Sequence, residues 1–214
     1  MLIGLTGTYC AGKNHISSIL EERGLPVLDV DKLGYQALET EKEAVFDRFG
    51  RDIQREDGSV DRRLLGQRVF GKPEELTALE NIVHPPVNRM TDDWIAAHLS
   101  KELPAQKRVC IINAALLHRS SAFKKLDCII LVTAPLVTRL LRARKRDNLS
   151  WASVFKRFAS QKHFNSQYLS LNAEIYRVEN PGICGLSNAS THSAAMKNRK
   201  KLEYRINRIL EGIN

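Results

Sequence analysis

The sequence contains no long hydrophobic run. Nowhere in its 214 residues is there an apolar stretch of the roughly 18 residues that a membrane-spanning helix needs. The opening segment MLIGLTG is too short for a secretory signal, and glycines interrupt it early. We therefore expect a soluble, cytoplasmic protein that does not associate with membranes.

The sequence also lacks closely spaced cysteines. Its four cysteines, Cys10, Cys110, Cys128 and Cys184, lie far apart and form no CxxC pair. This spacing indicates neither a zinc site nor a disulfide framework. We expect the thiols to be buried or chemically idle.

Acidic residues are scarce relative to basic ones: 24 Asp and Glu stand against 33 Lys and Arg, for a formal net charge of +9. This excess favours polyanionic ligands, which include nucleotides, phosphorylated coenzymes and nucleic acids. Aromatic residues make up only 7% of the chain, and a single one, Tyr204, lies among the basic residues of the segment MKNRKKLEYRINR. Because base stacking needs such aromatics, we expect no specific nucleic-acid partner.

Short apolar runs alternate with helical patterns along the chain. The segments RVCIINA and LDCIILVTA are typical of strands buried on both faces of a parallel sheet, while MLIGLTG, LPVLDVD and AEIYRVEN predict further strands. Strands that alternate with helices indicate an α/β fold with a mainly parallel sheet. Ligands of such sheets bind beyond the carboxyl ends of the strands. Gly7, Asp29, Asp31 and Asn113 fall at predicted strand ends, so we expect them to share one crevice.

The helical patterns leave two boundaries open. Apolar spacing predicts helices from Lys32 to Gly50 and near Leu64 to Phe70, and the long pattern around Pro85 and Pro86 predicts either two helices or one sharply kinked helix. Near the end of the chain a loop is predicted to end near Ser193. The tail from 186 to 198 is rich in Ser, Asn, Ala and His, and we interpret it as a mobile loop. A basic terminal helix is predicted from Met196.

The segment GTYCAGKN at residues 7 to 14 matches a phosphate-binding loop. In the pattern GxxxxGK[ST], glycines let backbone N–H groups turn inward, the next helix directs its positive end at a phosphate, and the lysine reaches the outer phosphates. Gly7, Gly12 and Lys13 satisfy the pattern, with a predicted strand before them and an amphipathic helix after them. The alternative is a glycine turn with an exposed lysine.

Asn14 stands where this pattern has the serine or threonine that holds Mg²⁺. Its side-chain carbonyl oxygen is an acceptor that can bind a hard cation directly or through water. We therefore expect weakened rather than abolished metal binding. Cys10 also lies in the loop, where the helix N-terminus would lower its pKa and suit a redox switch, although a small inert side chain is the simpler interpretation.

Several further segments, taken in order, resemble one known family. IGLTGTYCAGKN, LPVLDVDKLGYQAL, DGSVDRRLLGQRVF, ALENIVHPPV, LLRARKRDNLS, KRFASQ and VEN are similar to the successive signatures of dephospho-CoA kinases, over most of residues 1 to 186. The resemblance implies an enzyme that uses ATP and Mg²⁺ to phosphorylate the ribose 3′-hydroxyl of dephospho-CoA, which gives coenzyme A.

The resemblance also implies an architecture. We expect a single P-loop kinase-like fold over residues 1–214, in which helices flank a parallel sheet and helical insertions bind the substrate and form a lid. Its core comprises about residues 1–31, 107–138 and 172–214. The helical acceptor-binding region comprises about 32–106, and the lid about 139–171.

The site residues follow from the residue types and from the resemblance together. Phosphoryl transfer needs charge neutralisation, in-line positioning and a group that accepts the proton of the attacking hydroxyl. The predicted catalytic residues are Asp31, Lys13 and Arg139; the predicted ATP-binding residues are Thr8, Tyr9, Cys10, Ala11, Gly12, Lys13, Asn14, His15, Arg139, Arg146 and Asn180; the predicted acceptor-binding residues are Asp31, Arg62 and His84; and the predicted metal ligands are Asn14 and Asp29.

Each of these roles has a plainer alternative. Asp31 is the candidate base and Asp29 its alternate, yet either could simply cap the helix that begins near Lys32. Asn180, which the resemblance places near the adenine, also suits a turn. His84 either contacts the acceptor, orients Asp31, or is a structural residue at a helix end.

The basic stretch and the polar turn leave similar choices. Arg139, Arg142 and Arg146 share a helix face by spacing, and the resemblance places them with Arg157 at the lid. A solvated basic face is the alternative for this stretch. Asp61 and Arg62 either pair within their turn or line the acceptor pocket.

Two departures from the family pattern concern the metal. Where dephospho-CoA kinases have a segment of the form EIPLLFE, this chain has NAALLHR, so Asn113 and Arg119 stand in place of acids. These changes and Asn14 make the expected metal site less negative. They motivate an alternative function, a nucleotide-binding regulatory or catalytically weakened relative. No exposed apolar stripe predicts an oligomer, and we favour a monomer.

Overall fold

The structure is a computed structural model of the chain. It describes residues 1–100, 102, 104, 108–147, 150–159, 173–181 and 189–213, with side chains left out at 189–194 and 213. Cys184, residues 160–171 of the predicted lid and residues 186–188 of the predicted tail loop therefore lie outside the described residues. Among the described helices, none combines the length and the hydropathy of a membrane span.

The centre of the fold is a five-stranded sheet with the order β2-β3-β1-β4-β5. Its strands are β1 (Leu2–Gly7), β2 (Val27–Asp29), β3 (Cys110–Asn113), β4 (Cys128–Thr133) and β5 (Glu174–Glu179). Strand β1 pairs in parallel with β3 and β4, and β4 pairs in parallel with β5. Every residue of β1, β3 and β4 is buried, as expected for strands covered on both faces. The predicted α/β fold with a parallel sheet flanked by helices is confirmed.

The described helices alternate with these strands. They are α1 (Lys13–Glu22), α2 (Val30–Thr40), α3 (Lys42–Phe49), α4 (Arg62–Val69), α5 (Pro73–Leu99), α6 (Leu136–Asp147), α7 (Trp151–Ala159) and α8 (Ala189–Ile213). Short 3-10 turns lie at Arg51–Ile53, Leu117–Arg119 and Phe123–Lys125.

Contacts divide the chain into two compact units. The first comprises Met1–Leu28 and His98–Asn214 and holds the sheet. Its core packs apolar side chains of the strands against α1 and α8, namely Ile3, Leu5, Ile130 and Val132 with Ile16, Ile19, Leu20, Leu202 and Ile206. Because β1 is central, this packing fixes the position of the loop that follows Gly7.

The second unit, Asp29–Ala97, contains α2, α3, α4 and most of α5. Its separate core is built around Phe46, Val45 and Ile53, with further side chains from α2 and α4. The polar turn REDGSVDRR closes with a bridge between Gln54 and Val60, and Lys42 Nζ donates to the Gly58 carbonyl over 3.3 Å. That the region 32–106 binds the acceptor, and that 139–171 forms a lid, stays a prediction.

Helix α5 settles the choice that its two prolines left open. One helix, Pro73–Leu99, continues through Pro85 and Pro86. Each proline lacks a backbone N–H and displaces the carbonyl four residues earlier, so it removes one hydrogen bond from the helix. Because Pro85 and Pro86 are adjacent, the missing hydrogen bonds all lie in one helical turn. Val87, Thr91 and Ile95 are buried along one side of the helix beyond the prolines, and this burial holds the remaining turns.

The predicted loop before the terminal helix is wrong for residues 189–198. Helix α8 begins at Ala189, seven residues before the predicted start at Met196. Ser, Asn and His suggested a loop, but alanines at 189, 194 and 195 favour a helix strongly. Burial of Leu202 and Ile206 against the sheet then anchors the helix as a whole.

Candidate active site

The segment from Gly7 to Asn14 forms a tight loop between β1 and α1. Thr8 N–H donates to the Val132 carbonyl of the neighbouring strand over 3.2 Å, and Ala11 N–H donates back to the Thr8 carbonyl over 2.9 Å. Gly12 is the N-cap of α1 and has a left-handed backbone with φ 94°. Because the first N–H groups of a helix have no partner inside that helix, this N-terminus is suited to bind an anion.

Steric contacts explain why both positions of the pattern, residues 7 and 12, are glycine. A Cβ on Gly12 would lie 2.3 Å from Asn180 Nδ2, and a Cβ on Gly7 would lie 2.8 Å from the Val132 carbonyl oxygen. Neither position has room for a side chain. These contacts show that the loop is tightly packed; that it binds a nucleotide stays a prediction.

Three consecutive loop carbonyls accept hydrogen bonds from later parts of the chain. Arg139 Nε donates to the Tyr9 carbonyl over 2.8 Å. Arg142 Nη1 donates to the carbonyls of Cys10 and Ala11 over 3.3 and 3.1 Å. The Ala11 carbonyl also accepts from Asn180 Nδ2 over 2.9 Å. Hydrogen bonds from Arg139, Arg142 and Asn180 to its carbonyl groups therefore hold the loop in place.

Tyr9 is the centre of an aromatic and ionic cluster. Its hydroxyl donates to the carboxylate of Asp147, and its ring meets the ring of Phe158 edge-on at 5.4 Å. The guanidinium of Arg146 lies 5.2 Å from the ring centre. Burial, together with the hydrogen bond to Asp147, raises the pKa of the Tyr9 hydroxyl, so this group stays protonated at neutral pH.

Asp147 holds the cluster together. Its carboxylate accepts from Arg146 Nε over 2.7 Å and from Arg157 Nη1 over 3.0 Å. The hydrogen bond from Arg146, reinforced by Tyr9 and Arg157, holds the pKa of Asp147 below its usual value. Asp147 and Phe158 were not predicted from the sequence, although a single acid at the end of the basic run RARKRD was a usable signal.

A cleft of about 490 Å³ opens beside the loop. Cys10 and Gly12 line it together with the cationic side chains of Arg142, Lys145 and Arg146. Burial raises the pKa of the Cys10 thiol, contrary to the lowering that a helix N-terminus suggested, so Cys10 is a protonated thiol at neutral pH and a poor redox switch.

Two buried polar atoms near the loop have no hydrogen-bond partner among the described residues. They are Thr8 Oγ1 and Asn113 Oδ1. Asn113 ends β3 and lies opposite Leu5 of β1, so it belongs to the same edge of the sheet as the loop. A buried acceptor without a partner is costly, and a ligand or its water shell would satisfy both atoms. They fit a hydrated Mg²⁺ and its phosphates.

The predicted metal ligand Asn14 does not lie within a group of other metal-binding side chains among the described residues. Asn14 is exposed as the second residue of α1. Within the parts of the chain that the structure describes, no group of three His, Cys, Asp or Glu side chains could hold a metal.

In the second unit, Asp29 rather than Asp31 caps the helix. Asp29 Oδ1 accepts the N–H groups of Asp31 and Lys32 over 3.1 and 3.3 Å, and α2 begins at Val30. The hypothesis that Asp31 is the cap is therefore wrong. The reason is geometric: an N-cap side chain bonds the N–H groups two and three residues later, which selects Asp29.

The other predicted acceptor residues also lie in this unit. Arg62 places its guanidinium 4.4 Å from the ring centre of Tyr35. Asp61 caps α4 and lies 3.8 Å from Arg55, so its described partners are within the turn region. His84 lies half-buried inside α5, which rules out the interpretation as a helix-end residue.

The structure thus brings together one part of the predicted site. The residues from Thr8 to His15, with Arg139, Arg146 and Asn180, converge on the loop, and Arg142 and Arg157 join them. Their binding roles stay predictions. Asp29, Asp31, Arg62 and His84 belong to the other unit.

Comparison with known proteins identifies the family. A family model described as dephospho-CoA kinase matches residues 1–175. The chain belongs to the dephospho-CoA kinase family. It is 31% identical over 188 residues to the dephospho-CoA kinase of Treponema pallidum, over 85% of this chain and 87% of the relative. The dephospho-CoA kinase of Treponema denticola is 34% identical over 187 residues, over 84% and 82% of the two chains.

Solved structures show the same fold. A crystal structure from Thermus thermophilus matches with a TM-score of 0.68 and 27% identity, over 95% of this chain and 97% of that chain. A dephospho-CoA kinase from Campylobacter jejuni, 19% identical, shares the fold with a TM-score of 0.59 over 100% and 97%. The resemblance to dephospho-CoA kinases that the sequence segments indicated is confirmed.

The Asp147 cluster gives a prediction about stability. The folded state depresses the pKa of Asp147, so its carboxylate stabilises the fold above the unfolded pKa of about 4 and loses this effect as the pH falls through the folded pKa. We expect Asp147→Asn to lower the melting temperature by a few degrees at pH 7, and the difference from the original chain to shrink below about pH 4.

Asp47→Asn is the matched control, because Asp47 is exposed on α3. It should change the melting temperature little. A difference for Asp147→Asn that stays constant from pH 7 to pH 3 would contradict the assigned ionic role.

Proposed function

We propose that this protein transfers the γ-phosphoryl group of ATP to the ribose 3′-hydroxyl of dephospho-CoA. The observation that carries the proposal is the loop conformation in a member of this family: a helix N-terminus follows a left-handed Gly12, and side chains from later segments anchor the loop carbonyls. Such a loop presents N–H groups to phosphate oxygens.

Cationic side chains would complete the phosphate site. Lys13 is the first residue of α1, where its ammonium group can reach the outer phosphates. Arg139 and Arg146 are held near the loop by contacts with Tyr9. We assign Lys13 and Arg139 to the transferring phosphoryl group, because charge neutralisation there is the main demand of this reaction.

A bound Mg²⁺ would supply positive charge that offsets the charge of the nucleotide phosphates. Asn14 is our candidate for coordination through its amide oxygen, directly or through water, and Asp29 is the second candidate. The capping bonds of Asp29 both use Oδ1. Thr8 Oγ1 and Asn113 Oδ1, buried without described partners, would accept or donate within the hydration shell.

We assign the acceptor site to Asp31, Arg62 and His84. The capping role of Asp29 leaves Asp31 as the better candidate for the base that accepts the proton of the 3′-hydroxyl. The stacking of Arg62 on Tyr35 holds a guanidinium that suits a phosphate group of the acceptor. A cytoplasmic location, a monomeric state and the lack of a nucleic-acid partner stay predictions from the sequence.

The direct test is turnover. Purified protein is incubated with MgATP and dephospho-CoA, and the ADP and coenzyme A that form are measured. Separate reactions replace dephospho-CoA with adenosine, pantetheine phosphate or a nucleoside monophosphate. We expect coenzyme A with dephospho-CoA and little ADP with the others. ATP binding without any product would instead indicate a regulatory relative, and the absence of ATP binding would overturn the proposal.

A second prediction concerns the base. Asp31→Asn should lower kcat by about 10²-fold or more while ATP binding is retained, because loss of a general base has this size of effect. Asp47→Asn, an exposed aspartate of the same unit, is the control and should keep full turnover. If Asp31→Asn folds normally and keeps its turnover, Asp31 is not the base.

A third prediction concerns Asn14. Asn14→Ser introduces the hydroxyl that phosphate-binding loops of this pattern use for Mg²⁺, so half-maximal turnover should require several-fold less Mg²⁺. The measurement is a Mg²⁺ titration at fixed ATP, with Asn207→Ser on the exposed face of α8 as the control. An unchanged Mg²⁺ requirement would show that residue 14 does not contribute to coordination.

A further inference from the structure

Asn180 follows β5 and is almost completely buried, with 3% of its surface exposed. Its backbone N–H donates to the Thr133 carbonyl at the end of β4 over 2.7 Å. The resemblance to the family implied a place near the adenine. Both polar atoms of its side chain form hydrogen bonds within the protein, so these contacts are the guide to its role.

The carboxamide of Asn180 connects three segments. Nδ2 donates to the Ala11 carbonyl over 2.9 Å. Oδ1 accepts from Arg142 Nη2 over 3.4 Å and from Asn198 Nδ2 of α8 over 3.3 Å. One buried amide therefore ties the phosphate loop to α6 and α8.

The bond to Ala11 fixes a peptide plane. A trans peptide unit is planar, and its C=O and N–H point in opposite directions. Because Asn180 and Arg142 both bond the Ala11 carbonyl, the N–H of Gly12 points away from them. Gly12 must lack a side chain for this arrangement, since its Cβ would overlap Asn180 Nδ2.

We infer that Asn180 is a positioning residue for phosphate binding: it acts through the Ala11–Gly12 peptide, which it turns so that the Gly12 N–H faces the nucleotide phosphates. Arg142 supports it from the same side. This inference rests on the proposed ATP site. A positioning role predicts that loss of the Asn180 side chain weakens the binding of every nucleoside triphosphate by the same factor. A contact with adenine would instead weaken only the binding of ATP.

The test uses Asn180→Asp in the full chain. Aspartate has the same shape and keeps the acceptor for Arg142 and Asn198, but it replaces the donor to Ala11 with a second acceptor. We expect the Kd for MgATP to rise about tenfold, the size of effect of one lost hydrogen bond. The Kd for MgGTP should rise by the same factor, which leaves the ratio of the two unchanged. Calorimetry measures both, at a temperature well below the melting transition.

Asn207→Asp is the matched control, because it makes the same change at an exposed position of α8. It should leave both affinities unchanged. Asn180→Ala is the second variant. It removes the donor to Ala11 without the negative charge that Asn180→Asp adds beside the phosphates, and it should also weaken both triphosphates equally; a loss seen with Asn180→Asp alone would be charge repulsion and would overturn the positioning role. The alanine variant also decides the question if Asn180→Asp does not fold.

The outcomes separate the two proposals. If the original chain binds no MgATP, the proposed function itself fails. If the original chain binds MgATP and the Asn180 variants bind it equally well, only the positioning role is overturned. A variant that loses ATP affinity but keeps GTP affinity would overturn it as well, because that pattern belongs to a base contact.

Discussion

The hydrogen bonds to the carbonyls of Tyr9, Cys10 and Ala11 are the constraint on which the candidate site depends. A loop can present its N–H groups to an anion only if the opposite carbonyls are satisfied elsewhere. Here Arg139, Arg142 and Asn180 satisfy them. The loop is therefore shaped by parts of the chain more than 120 residues away in sequence, as well as by its own glycines.

Two arginines, Arg139 and Arg146, contact Tyr9 of the loop. Arg139 bonds the Tyr9 carbonyl, and Arg146 lies over the Tyr9 ring while it bonds Asp147. Asp147 offsets part of the positive charge that gathers at the loop, and this lowers the repulsion among the cations. An anionic ligand at the loop would offset this charge in the same way.

The departures at Asn14 and Asn113 differ in their effect on charge. At residue 113 a neutral amide stands where the family pattern has a carboxylate, and its Oδ1 is buried without a described partner. At residue 14 an amide stands in place of a hydroxyl, which leaves the charge unchanged. A neutral amide attracts a cation less than a carboxylate does, and the effect on Mg²⁺ binding stays a prediction.

Local sequence patterns determined the alternation of strands and helices, the parallel sheet and the phosphate loop, because hydrophobic period and glycine spacing act within a few residues. They did not determine which aspartate caps α2, where α8 begins, or that a single helix passes through Pro85 and Pro86. The contacts of Asp147 and Asn180 were likewise decided only by tertiary structure. The cap of α2 is a local hydrogen bond, but the partners of Asn180 and the contact of Asp147 with Tyr9 are distant in sequence, and the order of strands in the sheet brings them together.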